Sequence, residues 1–271
     1  MKSIGVIGTG NLGTHLVQLL CRNKLHDFII LSDEDNTKAE LLGKEYNLDT
    51  LSTNDNIHRS DIIFLTVKPD NIKSVCGNIR DITKCTFANQ EKLIISTAAG
   101  VPIEKIKEWS GTKNKVIRCM PNIPISIGQG SIVWYGDSYG KLEQDKDFLK
   151  ILTSGPQSYW VESEDMIDAA TVVSGCIPAY ISKIFQTYMN VGKEMGFEED
   201  LIKKILINGF VGTSNLINKV DTKNIIEQVA SKGGATEKGL EIMENAGLGQ
   251  MIKKSSDESL KQIKNITKSL D

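Results

Sequence analysis

Six residues near the start of the chain, Gly8-Thr9-Gly10-Asn11-Leu12-Gly13, restrict what this sequence can fold into more than any other stretch. They follow the apolar run Ile4-Gly5-Val6-Ile7 and precede His15-Leu16-Val17-Gln18-Leu19-Leu20, whose apolar positions recur at helical spacing. The order is strand, tight turn, helix. In such a unit the first glycine permits the turn, the second lets backbone approach a pyrophosphate, and the third lets the helix pack on the strand. The unpaired amides at the helix start, on the positive end of its dipole, then face the phosphates. A glycine-rich turn without a ligand is the alternative; the flanking strand and helix favour a dinucleotide site.

Phe28-Ile29-Ile30-Leu31 reads as a second buried strand and runs into Ser32-Asp33-Glu34-Asp35-Asn36. Asp33 falls about 20 residues beyond the glycines, where a carboxylate accepts hydrogen bonds from the adenosine ribose of NAD and repels the extra phosphate of NADP. Otherwise it belongs to a solvated acidic turn. No arginine follows the strand, and Lys38 is the one cation within reach of a 2′-phosphate. The expected cofactor is NADH or NADPH, with Asp33 leaning towards NADH.

Thr37 to Leu42 reads as helix, and Asn54 and Asp55 open another. Asp61 to Val67 is an apolar strand flowing into Lys68-Pro69, and Lys92 to Gly100 repeats the pattern with small residues where the strand stops. Ligands of open parallel sheets collect at the carboxyl ends of strands. Val67, Lys68 and Pro69 would then wall the nicotinamide ribose, and Thr97, Ala98 and Ala99 would let the nicotinamide ring approach. Val116 to Pro124 is a further strand breaking into a proline-stiffened loop, and Gly128 to Tyr135 a last one. Arg118 either holds an acid or ties loops together through its five donors, and the second reading is preferred. Strand and helix alternate to about Val161, which predicts a doubly wound, Rossmann-type parallel sheet over residues 1–161 with the glycine fingerprint at its centre.

From residue 162 onward the apolar positions follow helical spacing only, which predicts an all-helical domain over 162–271. Its long apolar faces are more than a domain of this size can hide alone, so pairing with a second copy is expected. Lys253 to Asp271 reads as a solvated helix face. Two stretches interrupt the helices: Asp168 to Tyr180, rich in small and hydroxyl residues, and Ser231-Lys232-Gly233-Gly234-Ala235-Thr236, a double glycine leading into a helix. Amides there, with the Ser231 and Thr236 hydroxyls, make a carboxylate cradle, or a capped helix–helix turn.

Composition removes other classes. The 32 Lys+Arg balance 34 Asp+Glu over 271 residues, which gives no basic footprint for nucleic acid. Five scattered cysteines with no C-x-x-C pair argue against a disulfide framework and against a zinc site, so no metal is expected and reduced thiols in a cytoplasm fit. No apolar run approaches about 18 residues, so no membrane role is expected.

Taken in order, the segments resemble the pyrroline-5-carboxylate reductase family over nearly the whole chain. The matching motifs are the N-terminal glycine fingerprint, Val67-Lys68-Pro69, Ser96 to Gly100, Arg118 to Asn122, Asp168 to Tyr180, and Ser231 to Thr236. The resemblance implies hydride transfer from NAD(P)H to the imine of 1-pyrroline-5-carboxylate, giving L-proline. It places cofactor contacts at Gly8, Thr9, Gly10, Asn11, Leu12, Gly13, Ser32, Asn54, Thr66 to Pro69 and Thr97 to Ala99. It places the substrate carboxylate at Ser231, Gly233, Gly234, Ala235 and Thr236, and the Thr236 hydroxyl at the ring nitrogen. Glu164 and Thr171 fall where the family lines its substrate pocket, which makes Thr236, Thr171 and Glu164 the candidate catalytic residues. It further implies a homodimer, in some members assembled into larger rings, with the partner helping to form the substrate site. Three residues depart from the pattern: Cys176-Ile177 stand where the family has a second Ser-Gly, and Lys232 where it has proline. The Cys176-Ile177 pair keeps open a rival reading, a reductase of another cyclic imine; a non-catalytic dinucleotide-binding regulator of the same fold is a second, against which the retained Ser231, Gly233, Gly234 and Thr236 count.

Overall fold

The computed structural model describes residues 2–85, 91–136 and 157–270. Its first half is one sheet of eight strands in the order β3-β2-β1-β4-β5-β6-β7-β8. The strands are β1 (Ile4–Ile7), β2 (Ile29–Ser32), β3 (Asp49–Thr50), β4 (Ile62–Leu65), β5 (Leu93–Ser96), β6 (Lys115–Pro121), β7 (Ser131–Tyr135) and β8 (Gln157–Trp160). Between them run α1 (Asn11–Arg22), α2 (Asn36–Tyr46), α3 (Thr53–Arg59), α4 (Pro69–Cys85) and α5 (Ile103–Ser110). Every residue of β1, β2, β4 and β5 is buried, as continuous apolar runs covered on both faces require. Side chains alternate between two cores: Ile62 and Phe64 join the one packed by Leu16, Leu19 and Leu20 of α1, and Ile63 and Leu65 join the one packed by Ile72, Cys76 and Ile79 of α4. Burial drives the Cys76 thiol up to about 12 and the Cys119 thiol higher, so both stay protonated through the ordinary thiol range.

Glycine-bearing β1 pairs in parallel with β2 on one side and β4 on the other. The order reverses there, so a crevice opens at the carboxyl end of β1. The sheet is mostly but not wholly parallel, whereas the sequence predicts an all-parallel one: β7 runs antiparallel to β6, with Arg118 opposite Tyr135 and Pro121 opposite Ile132. Only a short turn with a 3₁₀ segment (Ile123–Ile127) joins those two strands, too little chain for the dozen or more residues that a parallel crossover takes. β8, parallel to β7, is a further strand beyond the one expected to be last. Its Gln-Ser-Tyr-Trp sequence is half exposed and lacks the apolar run that marks the others.

After β8 the described chain is helical: α6 (Asp165–Ala170), a π-helical turn (Thr171–Gly175), α7 (Ile177–Glu194), α8 (Glu199–Ile217), α9 (Thr222–Val229), α10 (Ala235–Asn245) and α11 (Leu248–Lys268). The contacts within one chain form two compact units, Met1–Pro178 with Ser259–Asp271, and Ala179–Glu258. The expected boundary at 161/162 marks the change from strand to helix, whereas these units follow packing and leave the segment 162–178 and the end of α11 with the sheet. In the second unit only Gly192 and Ile202 are buried, and a Cβ on Gly192 would lie 2.5 Å from Ile202 Cγ1. Phe185 and Phe210 meet edge to face at 5.6 Å.

Candidate active site

The three glycines of the fingerprint differ in what holds them. Gly8 has φ +102°, and a Cβ there would come within 2.8 Å of the Thr66 carbonyl carbon and the Val67 amide. A Cβ on Gly13 would lie 2.0 Å from the Gly8 oxygen, so helix and strand approach as closely as the turn demands. Around a Cβ built on Gly10, nothing beyond its own chain neighbours lies within 4 Å. Gly10 is the N-cap of α1, no side chain caps that helix, and no acidic residue sits in its first turn. Packing therefore explains two of the glycines and leaves open space at the third, at the mouth of unpaired helix amides. That cradle has the shape and donor set of a pyrophosphate site.

Asp33 is already engaged. Its Oδ2 accepts from the Thr9 amide and, at 3.0 Å, from the Thr9 hydroxyl, and its Oδ1 accepts from the Asp35 amide at 3.0 Å. The carboxylate fixes the glycine loop to the end of β2 and has little accepting capacity left for a ribose. Ser32 is buried: its carbonyl accepts from the Gly8 amide at 2.8 Å and its Oγ from Asn56 Nδ2 at 3.0 Å. Asn56, which the sequence did not single out, is fully buried and also donates to the Val6 and Ile30 carbonyls, holding β1 and β2 at the turn. Nothing in the sequence marks Asn56; in the structure it lies across from Gly5, where a Cβ would strike its Oδ1. Asn54, two residues earlier, is exposed on the first turn of α3.

The other expected cofactor residues stand at neighbouring strand ends. Thr66 Oγ1 donates to the Ile7 carbonyl at 3.0 Å and to the Gly8 carbonyl at 2.5 Å, and Pro69 opens α4 with Lys68 exposed just before it. From the end of β5, the Thr97 amide and hydroxyl donate to the Leu65 carbonyl at 3.1 and 3.2 Å. Ala98 is buried, and Ala99 packs against the small cluster of Met120, Ile167 and Ala170. The carboxyl ends of β1, β2, β4 and β5 thus carry Gly8 to Gly13, Ser32 and Asp33, Thr66 to Pro69, and Thr97 to Ala99.

Arg118 is 1% exposed and ties loops, as preferred from the sequence. Its Nη1 donates to Glu164 Oε1 at 3.0 Å and its Nη2 to Asp168 Oδ1 at 2.7 Å, while Nε has no partner among the described residues. Glu164 Oε1 also accepts from the Ile103 amide at 2.7 Å, supplying the anionic cap that α5 lacks in its own Pro102. Glu164 is thereby bound up with Arg118 and α5. Thr171 starts the π turn, a type of local irregularity found often at functional sites. Its hydroxyl donates to the Ile167 carbonyl at 3.1 Å, and the turn is braced by Ser174, which meets Asn122 Nδ2 at 3.3 Å and Ser131 Oγ at 2.8 Å.

The second glycine pair lies in the helical unit. Gly233 has φ +74° with nothing within 4 Å of a Cβ, and Gly234 is the N-cap of α10, with no side-chain cap. A Cβ on Gly234 would lie 2.6 Å from Ser231 Oγ. Glu237 Oε2 accepts from the Gly233 amide at 2.7 Å, and Ser231, Ala235 and Thr236 are exposed. Among the described residues no group of acids, cysteines and histidines could hold a metal ion.

A Rossmann-type sheet with a phosphate cradle at its switch point, followed by a helical half, defines a nicotinamide-dinucleotide oxidoreductase. The family model described as pyrroline-5-carboxylate reductase dimerisation matches residues 164–266, and the one described as NADP oxidoreductase, coenzyme F420-dependent, matches residues 3–100. The chain is similar over most of its length to enzymes of the pyrroline-5-carboxylate reductase family. It is 27% identical over 256 residues to the pyrroline-5-carboxylate reductase of Pseudomonas aeruginosa, covering 93% of this chain and 92% of that one. It is 29% identical over 244 residues to the Staphylococcus aureus enzyme of the same name, covering 88% and 83%. The crystal structure of the Plasmodium falciparum pyrroline carboxylate reductase with NADP bound superposes with a TM-score of 0.85 at 25% identity, covering 98% of each chain.

Proposed function

We infer that this protein is a pyrroline-5-carboxylate reductase, an NAD(P)H-dependent oxidoreductase that reduces 1-pyrroline-5-carboxylate to L-proline. The observation that carries the reading is the open space at Gly10, where packing demands no glycine and a pyrophosphate does. A dinucleotide with its pyrophosphate there would supply, from its reduced nicotinamide, the hydride that the imine carbon accepts, while the protonated ring nitrogen becomes the amine. The chain's own part is to hold and to dry. Gly8, Thr9, Gly10, Asn11, Leu12 and Gly13 seat the phosphates, Ser32, Asp33 and Asn54 border the adenosine, and Thr66 to Pro69 with Thr97 to Ala99 wall the nicotinamide half. Ser231, Gly233, Gly234, Ala235 and Thr236 take the substrate carboxylate, with the Thr236 hydroxyl at the ring nitrogen. An imine is easily protonated, so orientation and exclusion of water carry most of the rate and no strong acid is needed. Thr171 shapes the pocket through the π turn, and Glu164 acts through Arg118 and α5.

Residues 162–271 form the dimerisation and substrate-binding domain and residues 1–161 the dinucleotide-binding domain. The protein is a homodimer, in larger rings where dimers associate, and works in the cytoplasm; among the described residues no helix is long and apolar enough to cross a membrane. Asp33, Glu34 and Asp35 crowd the end of β2 with negative charge, which opposes a 2′-phosphate and favours NADH, with NADPH as the second cofactor. The bonds from Thr9 give Asp33 this role through charge more than through ribose contacts.

The test follows cofactor oxidation with 1-pyrroline-5-carboxylate and NADH or NADPH in turn. Turnover is expected with both, faster with NADH. Binding of cofactor without turnover would leave the regulator reading. Thr236→Ala is expected to raise KM for the imine about ten-fold and to leave cofactor KM within two-fold, the scale of one lost hydrogen bond to a charged group. Turnover confined to other cyclic imines would favour the second reading, which rests on exposed Ile177 in place of the family's glycine.

A further inference from the structure

The end of α11, where the sequence predicts a solvated face, docks its apolar side on the loop that follows β5. Ile263 is buried, and Leu270, just past the helix, packs against the core that contains Ala98. Buried Gly100 closes the loop with φ +71°, and a Cβ there would lie 2.6 Å from the Ile263 carbonyl oxygen and 3.2 Å from Ile266 Cβ. Thr267 Oγ1 donates to the Gly100 carbonyl at 2.8 Å. At its other end the loop is anchored by Thr97 on the Leu65 carbonyl. Ala98 and Ala99 hang between these two anchors.

We propose that Thr267 is a positioning residue for the nicotinamide: its hydrogen bond to Gly100 sets the height of the Ala98-Ala99 backbone against which the ring lies. The proposal rests on the reading of Thr97 to Ala99 as the nicotinamide wall. Three features require the joint to be close and directional. Only glycine fits at position 100, because any side chain would strike the helix backbone and the φ lies in the left-handed region. Gly100 is a buried residue and its bond from Thr267 is part-buried, so losing that donor removes the partner of its carbonyl where water replaces it poorly. A two-residue span between fixed points has little freedom to absorb a displaced anchor.

The experiment uses the full chain and three variants, Thr267→Val, Thr267→Ala and Thr267→Ser, and measures binding of NADH, NADPH and ADP-ribose without any imine present. Valine keeps the shape and removes the donor; alanine, the best helix former, keeps the helix if valine disturbs it. Both are expected to weaken the reduced cofactors roughly three- to ten-fold, the equivalent of one neutral hydrogen bond. ADP-ribose, which lacks the nicotinamide, is expected to stay within two-fold of the unsubstituted protein, and Thr267→Ser to behave like it. Unchanged binding of NADH and NADPH in both donorless variants overturns the proposal. So does an equal loss for ADP-ribose, which marks a general structural role. Because no imine is used, failure of the proline reaction would leave this outcome readable.

Discussion

At the scale of single residues, the three fingerprint glycines separate by what surrounds them. Gly13→Ala drives a methyl group into the Gly8 carbonyl and is a folding lesion before it is a binding lesion. Gly10→Ala meets no protein atom, so its melting temperature is expected to match the unsubstituted protein while NADH and NADPH affinity falls about ten-fold or more. Thermal unfolding with a fluorescence titration checks both halves; a drop in melting temperature without loss of affinity would place the open space outside the cofactor site. Asp33 shows how residue type alone misleads. A carboxylate at the end of the second strand is legible as a ribose reader, yet whether a nearby amide and hydroxyl have already claimed it is decided by the turn at Thr9, which lies far from it in sequence.

At the scale of elements, the apolar runs of β1, β2, β4 and β5 announced themselves because strands buried on both faces must be continuously apolar. The reversal of β7 was legible in the short connection before it, though not in its period; the half-exposed β8 and the π turn were not legible, since each depends on a partner chosen across the fold, which period and composition do not encode. The same holds for Glu164, whose substrate role came with the family resemblance and whose visible bonds go to Arg118 and the start of α5. The ion-paired junction of β6 with α6 has a measurable consequence. Arg118→Met leaves Glu164 and Asp168 facing a buried apolar neighbour. Because their side chains retain 29% and 17% exposure, the cost is expected at about 2–3 kcal/mol, below the range for a fully buried pair. Denaturant unfolding reads it, and the triple variant Arg118→Met, Glu164→Gln, Asp168→Asn is expected to recover at least half. No recovery would mean that the arginine contributes packing alone.

At the scale of the whole molecule, residues 179–258 bury almost nothing by themselves, while Ile184, Val211, Ile242 and Met251 are 49%, 56%, 68% and 63% exposed. That composition was legible as apolar faces in excess of one chain's core, although not which face pairs with which. Val211→Asp, a surface change within about 0.5 kcal/mol for an isolated chain, is expected to halve the mass seen by sedimentation and to expose apolar surface to a dye. An unchanged mass would take that stretch of α8 out of the interface. A last consequence concerns light. All three tryptophans lie in the sheet-bearing unit: Trp109 beneath the Lys73 ammonium, and Trp134 stacked on Trp160 at 6.0 Å. Intrinsic indole emission from this protein therefore reports on one unit only, and the helical unit, whose fluorophores are Tyr180 and Tyr188, melts visibly to circular dichroism and silently in tryptophan fluorescence. If the two signals are recorded together, any gap between their transitions measures directly how far the units unfold apart.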